Sequence, residues 1–180
     1  MSQPASLAIG AFLDALGHPA EGELASTPER VESAWRDELL AGYRMDAHEI
    51  LSERCETGTD SLVVMRDLAA VVICPHHLLP STGFAHIGYE PTDACVGLGA
   101  LARLVDCFGR RLALQEDVSS QIARALVDEL GARGAICTLD LSPTCMVVRG
   151  ERQANARALT TAEAGTVSER LRFAFQAGSR

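Results

Sequence analysis

The stretch Cys74-Pro75-His76-His77 constrains this chain more than any other. It sets a thiol and an imidazole at C-x-x-H spacing, so one turn of backbone can aim Cys74 and His77 at a common point, with His76 displaced to one side. A soft thiolate and an imidazole make a ligand pair suited to zinc. Two ligands do not hold a metal, so the fold has to carry a third to the same place. Cys145, in Pro143-Thr144-Cys145-Met146, is the best candidate. Three protein ligands leave the fourth tetrahedral position open, as in catalytic zinc sites. The alternative reading is a pair of ordinary buried thiols beside a surface His-His, because short motifs often arise by chance.

The rest of the composition narrows the chemistry. Net charge is −8, which argues against a nucleic-acid partner, since a phosphate backbone asks for a basic face. All 16 basic residues are arginine. With no lysine, Schiff-base catalysis and a P-loop are excluded. Apolar residues are 47% and charged residues 22% of the chain, as in a globular domain. No run of 18 apolar residues suggests a membrane span, and Met1 to Gly10 carries no basic or long apolar signal region. Six cysteines without a disulfide-framework spacing suit a reducing cytoplasm. Two of them are assigned to metal, and the other four are expected to be small buried apolar residues.

Hydrophobic periodicity places these residues on elements. Leu7 to Leu16 reads as a helix stopped by Gly17-His18-Pro19. Thr27-Pro28-Glu29 opens a second, with Thr27 as N-cap, running to about Tyr43. Asp46 to Glu56 is a polar connection. Ser61 to Arg66 and Ala69 to Cys74 read as two short strands, and Gly83 to Tyr89 as a third. Gly97 to Arg111 and Gln115 to Leu130 are amphipathic helices. Ala135 to Leu141, Cys145 to Arg149 and Ala156 to Ala162 follow as strands, and Thr166 to Gln176 closes the chain as a helix. His86, alternating with apolar residues, reads as a sheet histidine at least as well as a catalytic one. This order predicts an α+β fold with a mainly antiparallel sheet, divided into an N-terminal helical region (1–56) and a main domain (57–180).

Five segments in order resemble the GTP cyclohydrolase I family: Cys-Pro-His-His (74–77), His-Ile-Gly-Tyr-Glu-Pro (86–91), Gly-Leu-Gly-Ala-Leu-Ala-Arg-Leu-Val (97–105), Leu-Gln-Glu (114–116) and Cys-Met-Val-Val-Arg-Gly (145–150). The resemblance implies the tunnelling fold, a four-stranded antiparallel sheet with two long helices on one face. It also implies a homo-oligomer, a toroidal decamer in that family, with active sites at subunit interfaces. By resemblance Cys74, His77 and Cys145 are the zinc ligands, and His76 is the catalytic histidine beside them. Glu116, with Gln115 next to it, grips the amidine edge of a purine, and Arg103 and Arg149 hold the triphosphate. The implied activity is zinc-dependent hydrolytic opening of a purine ring, from GTP to the formamide or to dihydroneopterin triphosphate.

Three positions depart from the family pattern. Pro143 stands where the family has a second catalytic histidine. The family's Cys-Glu-His-His is here Cys-Pro-His-His. Its Leu-Ser-Lys is Leu98-Gly99-Ala100, which removes a hydroxyl and a cation from the triphosphate pocket. These changes keep two alternatives in view: a divergent zinc hydrolase of a purine- or pterin-like ring lacking the triphosphate, and a non-catalytic binding relative.

Overall fold

The computed structural model describes residues 4–56 and 61–177. By compactness the chain divides into two units, Met1–Ala41 and Gly42–Arg180.

In the first unit, α1 (Ala5–Ala15) ends where Gly17 takes a φ of 80°. The Gly17 N–H then reaches the Asp14 carbonyl and the His18 N–H the Leu13 carbonyl, so the last turn's orphan acceptors are satisfied by a left-handed glycine stop. Helix α2 (Thr27–Ser33) runs on through a wide π turn at Ala34–Leu39. Thr27 lies inside the helix rather than capping it; Ser26 holds the cap position. The π turn ends at Leu39, and a 3-10 turn, Ala41–Arg44, then carries helical backbone through Tyr43. Glu32 accepts from the Ser6 N–H at 2.8 Å, capping the start of α1, and hydrogen bonds from the Ser6 side chain and backbone hold its carboxyl below the usual range.

In the second unit, α3 (Ala47–Ser52) is capped by Asp46, which accepts from the His48 and Glu49 N–H groups. The expected polar connection is therefore this helix followed by strand β1 (Arg54–Glu56). Strand β1 pairs with β4 (Ala94–Val96) as a separate two-stranded ribbon. The main sheet contains β2 (Val63–Ile73), β3 (Pro80–Glu90), β5 (Gly134–Pro143) and β6 (Ala158–Gly165), in the order β2-β3-β5-β6 and antiparallel throughout. The two short strands read before Cys74 are one strand with a bulge between Met65 and Leu68. Asp67 sits in the bulge at a φ of 55°, and its N–H donates to His86 Nδ1 at 3.2 Å. His86 is thus a satisfied sheet histidine.

Residues alternate across the sheet with period two. Leu68, Ala70 and Val72, then Ala85, Ile87 and Tyr89, then Cys137, Leu139 and Leu141 all bury toward one face. Helices α4 (Leu98–Gly109) and α5 (Gln115–Asp128) cover that face with Leu101, Leu104 and Val105, and with Val118, Ile122 and Leu126. Burying each such side chain contributes roughly 1.5–3 kcal/mol, so this layer carries most of the unit's stability. On the opposite face a smaller cluster joins Ile136 to Leu171 and Phe175 of α7 (Glu169–Gln176). The strand expected at Cys145 to Arg149 is instead a single helical turn, α6 (Thr144–Val147). Only two of the four remaining cysteines, Cys107 and Cys137, are buried; Cys55 is exposed and Cys95 half-buried. Burial alone pushes the Cys137 thiol up to about 12.

Gly42 makes the unit's tightest backbone approach to α4. A Cβ there would lie 2.5 Å from the Cys107 carbonyl oxygen and 2.8 Å from those of Asp106 and Arg110. Gly42→Ala should therefore cost about 1–3 kcal/mol, as overpacking does, read as a lower urea midpoint at unchanged m-value. An unchanged midpoint would contradict the packing.

Candidate metal centre

Strands β2 and β3 are joined by a six-residue loop, 74–79, closed by the pairing of Ile73 with Pro80. The Cys74 N–H donates to the Leu79 carbonyl at 3.0 Å, and the Leu78 N–H returns to the Cys74 carbonyl at 2.9 Å. That second bond wraps one turn over Cys74-Pro75-His76-His77. Leu78 closes it at a φ of 53°, a left-handed conformation that costs a non-glycine residue roughly 1–2 kcal/mol. The turn brings Cys74 Sγ within 3.8 Å of His77 Nδ1.

The third group arrives from the neighbouring strand. Strand β5 pairs Pro143 with Ser81 of β3, so its C-terminal end lies beside the loop. There the chain leaves the sheet, and the Thr144 hydroxyl bonds the Pro80 carbonyl. This pin, invisible in the sequence because its partner is 64 residues away, turns Thr144–Val147 into helix and swings Cys145 toward Cys74. The ligand atoms of Cys74, His77 and Cys145 all lie within 4.8 Å of one another. Zinc bonds of about 2.3 Å to sulfur and 2.0 Å to nitrogen, at tetrahedral angles, put sulfur and nitrogen roughly 3.6 Å apart. The observed 3.8 Å between Cys74 and His77 fits. Two half-buried thiols and an exposed imidazole also form the donor set expected at an open zinc site. His76 is exposed, with Nδ1 4.0 Å from Cys74 Sγ and its ring edge-on to His77 at 6.3 Å.

Arg149 bears on the same imidazole. Its Nη1 lies 2.8 Å from His77 Nε2. Guanidinium only donates, so Nε2 accepts and the ring proton sits on Nδ1, the nitrogen that faces Cys74. A metal on Nδ1 requires the proton on Nε2 instead, where Arg149 has nothing to donate to. Metal and Arg149 therefore compete for the tautomer of His77, and loading the site would release Arg149.

The remaining expected residues divide. The N-terminus of α5 is tied to the centre, because the Ala113 N–H donates to the Ile73 carbonyl, adjacent to Cys74. Gln115 donates its amide to the carbonyls of Leu139 and Ala158, at 3.0 and 2.7 Å, and so clamps β5 to β6. Glu116, next along, is exposed in the positive first turn of α5. Arg103 lies elsewhere in the unit, paired with Glu53 just before β1. The structure thus gathers Cys74, His76, His77, Cys145 and Arg149 directly, and Gln115 through the strand ends. Arg103 it leaves on a different partner. Pro143 offers no titratable group, and Ala100 is buried at 3% exposure, so it presents nothing to a ligand.

The sequence model of the GTP cyclohydrolase I family matches residues 5–177. A GTP cyclohydrolase 1 of Bifidobacterium longum (strain DJO10A) is 41% identical over 160 residues, covering 88% of this chain and 80% of its own. That of Streptomyces griseus is 37% identical over 168 residues, covering 92% and 83%. That of Ralstonia nicotianae is 33% identical over 171 residues, covering 94% and 82%. Among solved structures, the archaeosine synthase QueF-Like in its apo form superposes with a TM-score of 0.50 at 16% identity, over 61% of this chain and 99% of that one. At that identity the likeness concerns the fold, which is the tunnelling fold expected from the sequence.

The two substitutions that separate these roles are Cys145→Ala and Arg149→Ala. Cys145→Ala should lose stoichiometric zinc, measured by metal analysis after dialysis. Arg149→Ala should hold zinc at least as tightly as the parent against a chelator, since the competing donor is gone. Weaker zinc binding in Arg149→Ala would reject the tautomer argument.

Proposed function

This chain belongs to the GTP cyclohydrolase I family, and from that premise we propose that it opens the purine ring of GTP by hydrolysis at a zinc held by Cys74, His77 and Cys145. The observation that carries this is the convergence of those three donors, from two strand ends, to within 4.8 Å of one another. Bound there, zinc would supply Lewis acidity and bring the pKa of a coordinated water toward neutrality.

The chain's own residues supply the rest. His76, with Nδ1 4.0 Å from Cys74 Sγ, is near enough to the triplet to move protons between the reacting ring and solvent. Glu116 presents a carboxylate that accepts two parallel N–H bonds from the guanine edge. A base lacking those donors would leave the carboxylate unpaired, which is the source of selectivity. Gln115 positions Glu116 by fixing the first turn of α5 to the sheet. Arg149, once released from His77, is placed for the phosphates.

Arg103 can join them only by leaving Glu53. That pair is solvent-exposed, with side chains 46% and 67% accessible, and such pairs contribute about 0–1 kcal/mol. A charge-assisted bond to phosphate contributes about 1.5–3 kcal/mol, so the exchange favours the ligand. Its position away from the triplet suits a site completed across a subunit boundary. Strands β2 and β6 each have a single strand neighbour among the described residues, and open edges of this kind call for pairing or cover. A ring of subunits would supply both. Light scattering should therefore report an oligomer, and a stable monomer would overturn this part.

A second reading is favoured by Pro143 and the buried Ala100: ring opening without full use of the triphosphate. One assay decides between them. The zinc-loaded protein is given GTP or guanosine, and formate and pterin fluorescence are followed. Pterin formed with at least a thousandfold preference for GTP supports the first reading; equal use of guanosine supports the second. His76→Ala should keep its zinc and lose turnover by about 100-fold or more. Full activity in that variant would remove His76 from the mechanism.

A further inference from the structure

The ribbon formed by β1 and β4 sets two cysteines face to face. Its antiparallel register pairs Arg54 with Val96, Cys55 with Cys95 and Glu56 with Ala94. Directly opposed residues project from the same face of a sheet. Both thiols are free; Cys55 is exposed and Cys95 half-buried. Neither contributes to the metal triplet.

We propose that Cys55 and Cys95 form a reversible cross-strand disulfide, a redox modification site outside the metal centre. Opposed Cα atoms in antiparallel pairs lie about 4.5–5.5 Å apart, inside the roughly 4.4–6.8 Å that disulfides span. Their Cβ atoms, at about 4.5–5.5 Å, stand slightly farther apart than the roughly 3.5–4.5 Å of a relaxed bridge. Closing the bond draws the strands together and leaves it strained. Strained, exposed disulfides are the readily reduced ones, which marks this pair as a switch rather than a permanent staple. Strands of three residues can yield to that pull.

A peroxide serves as the two-electron oxidant. The exposed Cys55 sulfur attacks a peroxide oxygen, the O–O bond breaks, and a sulfenic acid and one water result. The Cys95 sulfur then attacks the Cys55 sulfur and displaces the second water. Two thiols and one hydrogen peroxide become one disulfide and two waters. A dithiol reductant returns the pair by exchange.

The bond would tighten the ribbon at the point where it meets two other features. Glu53, the partner of Arg103, lies two residues before Cys55, and α4, which carries Arg103, begins at Leu98, three residues after Cys95. Oxidation would hold the Glu53–Arg103 pair together. That consequence rests on the proposed phosphate role of Arg103, whereas the bond itself does not.

The test uses the zinc-loaded full chain. It is treated with hydrogen peroxide, remaining thiols are alkylated, and a non-reducing digest is examined by mass spectrometry. The expected product is a peptide joining Cys55 to Cys95, two hydrogens lighter than its parts, within single chains, and lost on adding dithiothreitol. Cys55→Ser and Cys95→Ser should each abolish it, and Cys107→Ser should not. Separate alkylation of Cys55 and Cys95 after peroxide, or a Cys55 link between two chains, would overturn the proposal. A rise in the KM for GTP on oxidation, reversed by reductant, supports the link to Arg103. An unchanged KM removes that link and leaves the disulfide standing.

Discussion

Strand β3 is the piece on which the rest of the molecule depends. It pairs along its length with β2 on one side and β5 on the other. Those ladders put the end of β2 and the end of β5 on either side of Pro80 and Ser81. Every ligand-bearing group then follows. Cys74 and His77 sit in the loop that enters β3, and Cys145 sits in the turn that leaves β5. A shift of one residue in either register would turn a strand's buried side chains to the other face. It would also separate Cys145 from Cys74. The apolar face beneath α4 and α5 thus fixes the register, and the register fixes the grouping of Cys74, His77 and Cys145.

Charge is arranged with similar economy. The chain is acidic overall and has no lysine with which to meet the anionic substrate proposed for it. Its arginines are therefore held at defined partners: Arg103 on Glu53, Arg149 on His77, Arg157 on Asp140 and Arg172 on Glu163 and Glu169. Exposed pairs of this kind hold weakly, and guanidinium favours bidentate contact with phosphate over a point attraction. Arginines pre-aimed by weak partners lose less freedom on binding than free ones would. The −8 net charge, spread over the chain, counts little at any one site, since salt screens exposed charges more than about 8–10 Å away.

Much of this was legible from residues alone. The grouping of Cys74, His77 and Cys145, the two long helices and the strand character of 63–73 follow from donor chemistry and periodicity. The misreadings share a physical cause. Asp67-Leu68 read as a break between strands because a bulge, with the Asp67 N–H held by His86, has no periodic signature. Cys145 to Arg149 looked like a strand because it is apolar and β-branched, yet a hydroxyl bond to Pro80 makes its start a helical turn. Cys55 and Cys95 looked like core residues because cysteine usually is, yet they lie on a narrow ribbon at the margin of the core.

The sequence by itself determined what could be bound and by which atoms. Thiol and imidazole donors, a carboxylate at the start of a helix, and arginines as the sole cations are properties of side chains and survive any folding. Only the tertiary structure decided what those atoms do to one another. That Gln115 clamps two strands, that Arg149 dictates the tautomer of His77, that Arg103 waits on Glu53 and that Cys55 faces Cys95 all depend on contacts between residues far apart in the chain. Such contacts come from strand register and helix packing, which sum many weak interactions over the whole unit. No local pattern of residues encodes them.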